Sequence, residues 1–321
     1  LEWKPIIMFI SSFIVLGLII ALIVIFISSQ RFRIGLLNFL ARAEARFYGL
    51  KVKKQCLDEL DIYYLDSGNS GTNKPVIVMV HGFTATKELW ARFAKHLVTD
   101  YRVIAPDLAG HGQTEYNPNF DYSIPAQSER LKKLLDELNI EQAHITGNSM
   151  GGFIAANFAK KYPAKILSIG LQDPAGVTTP QQSEMEIMLA QGRNPFEVHS
   201  KEEFNQFYKM TTVKQNILPP FLLRVMAETY IQRREEFMNI FSDFYDKNLL
   251  DNSLAEITVP TQLQWGDKDQ LINVSGVDAW RAGIPTIDAK VWPTVGHMPY
   301  VEIPAESANY YKSFLLGIVN K

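Results

Sequence analysis

Cysteine is almost missing from this chain of 321 residues; Cys56 stands alone. An intramolecular disulfide and a cysteine-built zinc site are therefore excluded, and a reducing compartment is compatible with the sequence. Charge of one sign is also missing. Lys and Arg total 32 against 34 Asp and Glu, a formal net charge of −2. No domain-wide basic field exists to hold nucleic acid. There is no internal repeat and no low-complexity segment. Hydrophobic residues make up 47% and charged residues 21%, which excludes a wholly disordered chain and collagen-like or coiled-coil designs. The length allows about two domains, or one long α/β unit.

One stretch carries no charge at all. Ile6 to Ile27, as an α-helix, spans about 33 Å, enough for a hydrocarbon core of about 30 Å. Gly17 and the Ser11–Ser12 pair do not interrupt it, since helix backbone groups stay bonded to one another. A core helix rarely needs so long an apolar surface. A cleaved signal peptide would want a shorter run and a small-x-small site, which Ser28-Ser29-Gln30-Arg31-Phe32-Arg33 does not supply. The expectation is a retained single-pass transmembrane anchor over residues 1–30. Lys4 precedes the run, whereas Arg31, Arg33, Arg42 and Arg46 follow it. Positive charge on that flank puts the remainder on the cytoplasmic side. Phe32, Leu36, Phe39, Leu40, Ala43 and Phe47 then recur at helical spacing, with Asn38, Arg42 and Arg46 four residues apart. They predict a basic amphipathic helix over 31–54, which either lies on the headgroups of a bilayer or packs on the soluble part.

Beyond residue 55 strand and helix signals alternate. Asp61 to Leu65, Val76 to Val80, Tyr101 to Ala105, Ala143 to Gly147, Ile166 to Leu171, Thr261 to Trp265 and Lys290 to Trp292 read as strands, and Gln127 to Leu138 and Ala305 to Val319 as helices. Such alternation implies an α/β fold with a mostly parallel sheet flanked by helices. Residues 55–176 and 256–321 form its core. Residues 177–255 break the pattern, are rich in Met, Phe and charge, and read as a helical lid over the sheet's carboxyl edge, where open α/β sheets bind ligands.

The chemistry concentrates in Gly147-Asn148-Ser149-Met150-Gly151-Gly152, between a strand and a helix. That is the context a G-x-S-x-G nucleophile needs: a tight turn presents the hydroxyl, and small neighbours let the chains pass. The Met150 backbone N–H, at a helix N-terminus, suits a developing oxyanion. His81-Gly82-Phe83 directly follows a strand, and the Phe83 N–H is the second candidate donor. Among six histidines, His297 lies in a Gly- and Pro-bounded loop after the last strand and is the candidate base. His96 and His144 fit structural positions, His111 shapes a loop, and His199 lies in the lid. Asp267, Asp269 and Asp173 all follow strands and compete as the acid that orients the base; periodicity does not choose among them.

Together with Pro106-Asp107-Leu108-Ala109-Gly110-His111-Gly112, Trp265-Gly266-Asp267-Lys268-Asp269 and Gly296-His297-Met298-Pro299, these motifs make everything from about Leu57 onward resemble the α/β-hydrolase family with a lid. The resemblance implies an acid three residues after the glycine, Asp269, and a structural part for Asp107. The apolar run, the basic segment after it, and the stretches His81 to Lys87 and Trp265 to Val277 resemble the family's membrane-anchored monoacylglycerol lipases. The expected function is a serine hydrolase of lipid-like esters, monoacylglycerol above all, acting through an acyl-enzyme with Ser149, Asp269 and His297 as triad and no cofactor or metal. Phe221 and Leu222, in the apolar segment Ile217 to Leu223, are expected at a substrate entrance facing the bilayer. Two rivals share parts of the pattern: a carbon–carbon bond hydrolase of ring-fission products, which has a similar elbow but no reason for an anchor, and a membrane-tethered binding protein on a hydrolase fold, which has no need of a complete triad.

Overall fold

The computed structural model describes residues 4–58, 60–68, 74–214 and 219–319. It begins with two helices, α1 (Lys4–Ser28) and α2 (Gln30–Phe47). The strands are β1 (Lys51–Cys56), β2 (Asp61–Asp66), β3 (Val76–Val80), β4 (Arg102–Pro106), β5 (Ala143–Asn148), β6 (Ile166–Gln172), β7 (Thr261–Gly266) and β8 (Asp288–Trp292). Helices α3 (Ala91–Ala94), α4 (Ile124–Glu137) and α5 (Met150–Lys161) alternate with them. Four helices, α6 (Glu184–Ala190), α7 (Lys201–Thr211), α8 (Pro220–Gln232) and α9 (Arg234–Phe244), intervene between β6 and β7. Helices α10 (Gly276–Gly283), α11 (Pro299–Glu302) and α12 (Pro304–Val319) complete the chain.

The strands form one eight-stranded sheet, ordered β1-β2-β4-β3-β5-β6-β7-β8. The β1–β2 and β2–β4 pairs are antiparallel and all others are parallel. The central strands read as continuous apolar runs because both faces are covered: every residue of β5 is buried. Val78, Val80 and Ile145 pack in one buried layer, while Ile77, Met79 and Val103 pack in another with Trp90, Phe93 and Tyr311.

The helix expected over 31–54 ends earlier. It stops at Phe47, Gly49 turns the chain at φ +85°, and residues 51–56 become the edge strand β1. Lys53 and Lys54 reach across to Asp66 and Asp61 at 2.7 and 2.9 Å, and lysines on such an edge also discourage further strand pairing. Helix α2 packs on the rest of the fold with one face and leaves the other exposed along its length. Ala45 is buried, and Leu50 just beyond packs with it in the core, whereas Phe32, Phe39, Leu40 and Phe47 are exposed. Among the described residues no single helix is long and apolar enough to cross a membrane. Ser11–Ile25 of α1 and α2 meet that test only as a pair, bent by 95°. Leu1 to Trp3 of the expected anchor, and Ile217 and Leu218 of the expected entrance segment, lie outside the described residues.

Candidate active site

Three carboxyl ends of parallel strands converge on one place. Ser149 stands between β5 and α5 with φ +55° and ψ −121°, in the left-handed half of backbone space that a non-glycine residue rarely occupies. The turn is held by close approach. A Cβ on Gly147 would meet the Gly151 carbonyl oxygen at 2.2 Å, and one on Gly151 would meet that of Val80 at 2.2 Å. The glycines flanking Ser149 are thus required by packing rather than by a left-handed backbone of their own. Ser149 N–H donates to the Gln172 carbonyl at 3.0 Å, and its own carbonyl accepts from Phe153 and Ala175.

His297 and Asp269 are brought together. His297 Nδ1 lies 2.7 Å from Asp269 Oδ2, and both side chains are almost wholly enclosed. Asp269 Oδ1 accepts the Leu271 and Ile272 N–H groups at 2.8 and 3.0 Å. The carboxylate is therefore fixed by its own loop, and it in turn fixes the imidazole. Asp267 faces elsewhere: it accepts from Thr294 N–H and pairs with Lys268. Asp173 also reaches the site, buried behind the pair. Asp173, Asp269 and His297 form the one cluster of metal-type donors among the described residues, and the bond between His297 and Asp269 already occupies two of its atoms.

The two oxyanion candidates flank the elbow. Met150 is the first residue of α5, so its N–H is free of the helix's own bonding pattern. Gly82, beside Phe83, lies against the serine: a Cβ there would stand 3.2 Å from Ser149 Cβ. The preceding His81 shapes this loop. Its Nε2 accepts from Leu108 N–H at 3.0 Å, so Nδ1 carries the proton and donates to the Gly82 carbonyl at 2.8 Å. Burial pushes His81 below the usual imidazole range, and His111 further below it. Asp107 is buried and saturated by Lys87 N–H, Lys87 Nζ and Gln113 N–H, which gives it a structural part. His144 bonds Ser168, and His199 is an exposed neighbour of Arg234.

The Phe83 ring belongs to an aromatic cluster shared with the segment between β6 and β7. Phe196, Phe237, Phe241 and Phe244 place their ring centroids 5.1–5.9 Å from it. Of the two entrance candidates, Phe221 is 47% exposed at the start of α8, but Leu222 is only 9% exposed and packs inward. Helix α2 touches the same element, through Arg33 to Glu228 at 2.7 Å and Gln232 to Gln30 at 2.8 Å.

Two residues at the site escaped the sequence reading. Asn148 Nδ2 donates to the Gln172 carbonyl at 3.0 Å and the His297 carbonyl at 2.9 Å, joining the serine turn to the histidine loop. Glu302 accepts Gly296 N–H at 2.7 Å with one oxygen, and Val213 and Lys214 N–H, both at 3.0 Å, with the other. It ties the histidine loop to the end of α7. A carboxylate in the otherwise apolar stretch Met298 to Ile303 was the readable signal.

The family model for the alpha/beta hydrolase fold matches residues 75–304. The chain belongs to the α/β-hydrolase family. It is 31% identical over 272 residues to Lipase 3 of Moraxella sp. (strain TA144), covering 84% of this chain and 86% of that one. It is 27% identical to Monoacylglycerol lipase ABHD6 of Mus musculus, covering 86% and 85%. A solved bacterial membrane phospholipase A, described as a virulence factor, superposes with a TM-score of 0.88 at 32% identity, covering 98% and 99%. This α/β hydrolase is of the lipase and esterase type.

Proposed function

We propose that the protein is a membrane-anchored serine hydrolase that cleaves monoacylglycerol to fatty acid and glycerol. The observation that carries this reading is the buried 2.7 Å contact of His297 with Asp269, in a loop bonded through Asn148 to the strained turn of Ser149. Ser149 Oγ attacks the ester carbonyl while His297 takes its proton. The N–H groups of Phe83 and Met150 hold the oxyanion. His297 returns the proton to the departing glycerol oxygen, then activates water to cleave the acyl-enzyme. Asp269 keeps the imidazole in the useful tautomer and favours its charged form.

The apolar surface of α1 supports anchoring, because its described side chains from Phe13 to Ile25 are broadly exposed and apolar. The arginines after it support a cytoplasmic hydrolase, a topology that protease treatment of intact cells reads directly. A second reading has its own support: likeness to the membrane phospholipase A over nearly the whole chain, helices included, favours a phospholipid acyl ester. One experiment separates them. Purified full-length protein in mixed micelles is assayed on monoacylglycerols, phospholipids, triacylglycerol and p-nitrophenyl esters of graded chain length, with Ser149→Ala as control. Highest kcat/KM on monoacylglycerol, lost in Ser149→Ala, is expected. Faster phospholipid cleavage selects the second reading, and turnover that survives Ser149→Ala rejects both.

A further inference from the structure

Two carboxyl groups, not one, stand behind His297. Asp173 follows β6 and Asp269 follows β7, and because these parallel strands are neighbours their carboxyl ends deliver both groups to one space. Ligand-type atoms of Asp173, Asp269 and His297 all lie within 4.8 Å of one another. Asp173 is fully buried and held rigidly. Its backbone sits at φ +45°, its N–H donates to the Gln264 carbonyl at 2.9 Å, and its Oδ1 accepts Gly266 N–H at 2.8 Å. Its Oδ2 is buried with no donor facing it. The Glu302 carboxyl and the Tyr300 hydroxyl are also within electrostatic reach of it and bring no positive charge.

Two carboxylates this close, away from water, do not both stay ionised; the pair holds one proton. The donors decide where it resides. Asp269 receives three, from Leu271, Ile272 and His297, whereas Asp173 receives one, from Gly266. The anion belongs on Asp269. A hydroxyl on Asp173 Oδ2 would also give that orphaned atom a partner. We infer that Asp173 is a neutral positioning residue whose carboxylic O–H donates to the Asp269 carboxylate and holds that anion against His297. Burial foremost, and the Asp269 charge next, push the Asp173 carboxyl well above the usual range. The inference rests on the triad reading and adds a member to it.

The test compares native full-length protein with Asp173→Asn and Asp173→Ala. It uses p-nitrophenyl butyrate hydrolysis against pH and infrared detection of a buried protonated carboxyl. The asparagine amide can donate in place of the hydroxyl; alanine cannot. Asp173→Ala should lower kcat about tenfold, the scale of one lost hydrogen bond to a charged group, and Asp173→Asn should restore most of it. The acid limb of kcat/KM should stay in place in Asp173→Asn. In Asp173→Ala it should move to higher pH, because Asp269 without its donor holds the imidazolium more firmly. The carboxylic carbonyl band of the native protein should vanish in both variants. If Asp173 were instead an anion, both variants would remove a negative charge, and the limb would fall by about one pH unit or more. That shift, or a native spectrum lacking a band that Asp173→Asn removes, overturns the inference. Native turnover independent of Ser149 overturns the triad reading instead, while the infrared band still reports the proton.

Discussion

Ser149 and His297 were legible as residues because their chemistry forces local grammar onto the chain. A serine at φ +55° needs glycines where other backbones come within 2.2 Å of a would-be Cβ, and those glycines mark it in the sequence. The acid was not legible in that way. Three aspartates follow strands, and spacing alone gives each the same standing. Only three-dimensional partners separate them: Asp269 meets His297, Asp267 turns to Thr294 N–H and Lys268, and Asp173 is buried behind both. Asp269→Asn is expected to lower kcat by about 10³- to 10⁴-fold, the scale of a triad carboxylate, because the imidazole loses its partner and its tautomer. Asp267→Asn should cost less than about threefold, as a half-buried group that bonds a turn and does not touch His297. Steady-state kinetics on a soluble ester settle the matter, and the reverse ranking would move the acid to Asp267.

At the scale of elements, apolar periodicity revealed what it could. The buried strands and α4 were readable because their burial is uniform or strictly periodic. Strand β1 was not, since Lys51-Val52-Lys53-Lys54-Gln55-Cys56 lies exposed on an edge and owes its place to pairing with β2 rather than to an apolar face. Phe221 and Leu222 share one apolar run at the start of α8, but the helix separates them: Phe221 points out and Leu222 in. The two positions therefore make opposite predictions. Phe221→Asp should slow hydrolysis of long-chain monoacylglycerol in vesicles more than that of a short soluble ester, with Tm unchanged. Leu222→Asp should lower Tm and depress both activities, because it buries an unpaired charge. An equal effect of Phe221→Asp on both substrates removes it from any entrance.

For the whole molecule, burying histidine has a consequence for its working pH. Desolvation lowers His81, His111 and His144, the last to about 4 through burial alone. In the unfolded chain each would titrate near 6.5. Between that value and the folded one the unfolded state binds more protons, so native stability is greatest above about pH 6.5 and falls as pH drops. For His144 the window runs from about 6.5 down to about 4 and is worth about 3 kcal/mol at its lower end. Asp173 works in the opposite sense. Its raised carboxyl keeps a proton in the folded state that the unfolded state releases, so its cost is felt at neutral pH and recedes toward acid. This one carboxyl opposes three histidines. The urea midpoint is therefore expected to fall steadily between pH 7 and pH 4.5. His144→Gln, which has no proton to gain, should flatten that fall even if its midpoint at pH 7 is lowered by loss of the 2.7 Å contact with Ser168. A midpoint independent of pH, or a His144→Gln slope equal to the native one, would show that the buried imidazoles are not the groups that set acid stability.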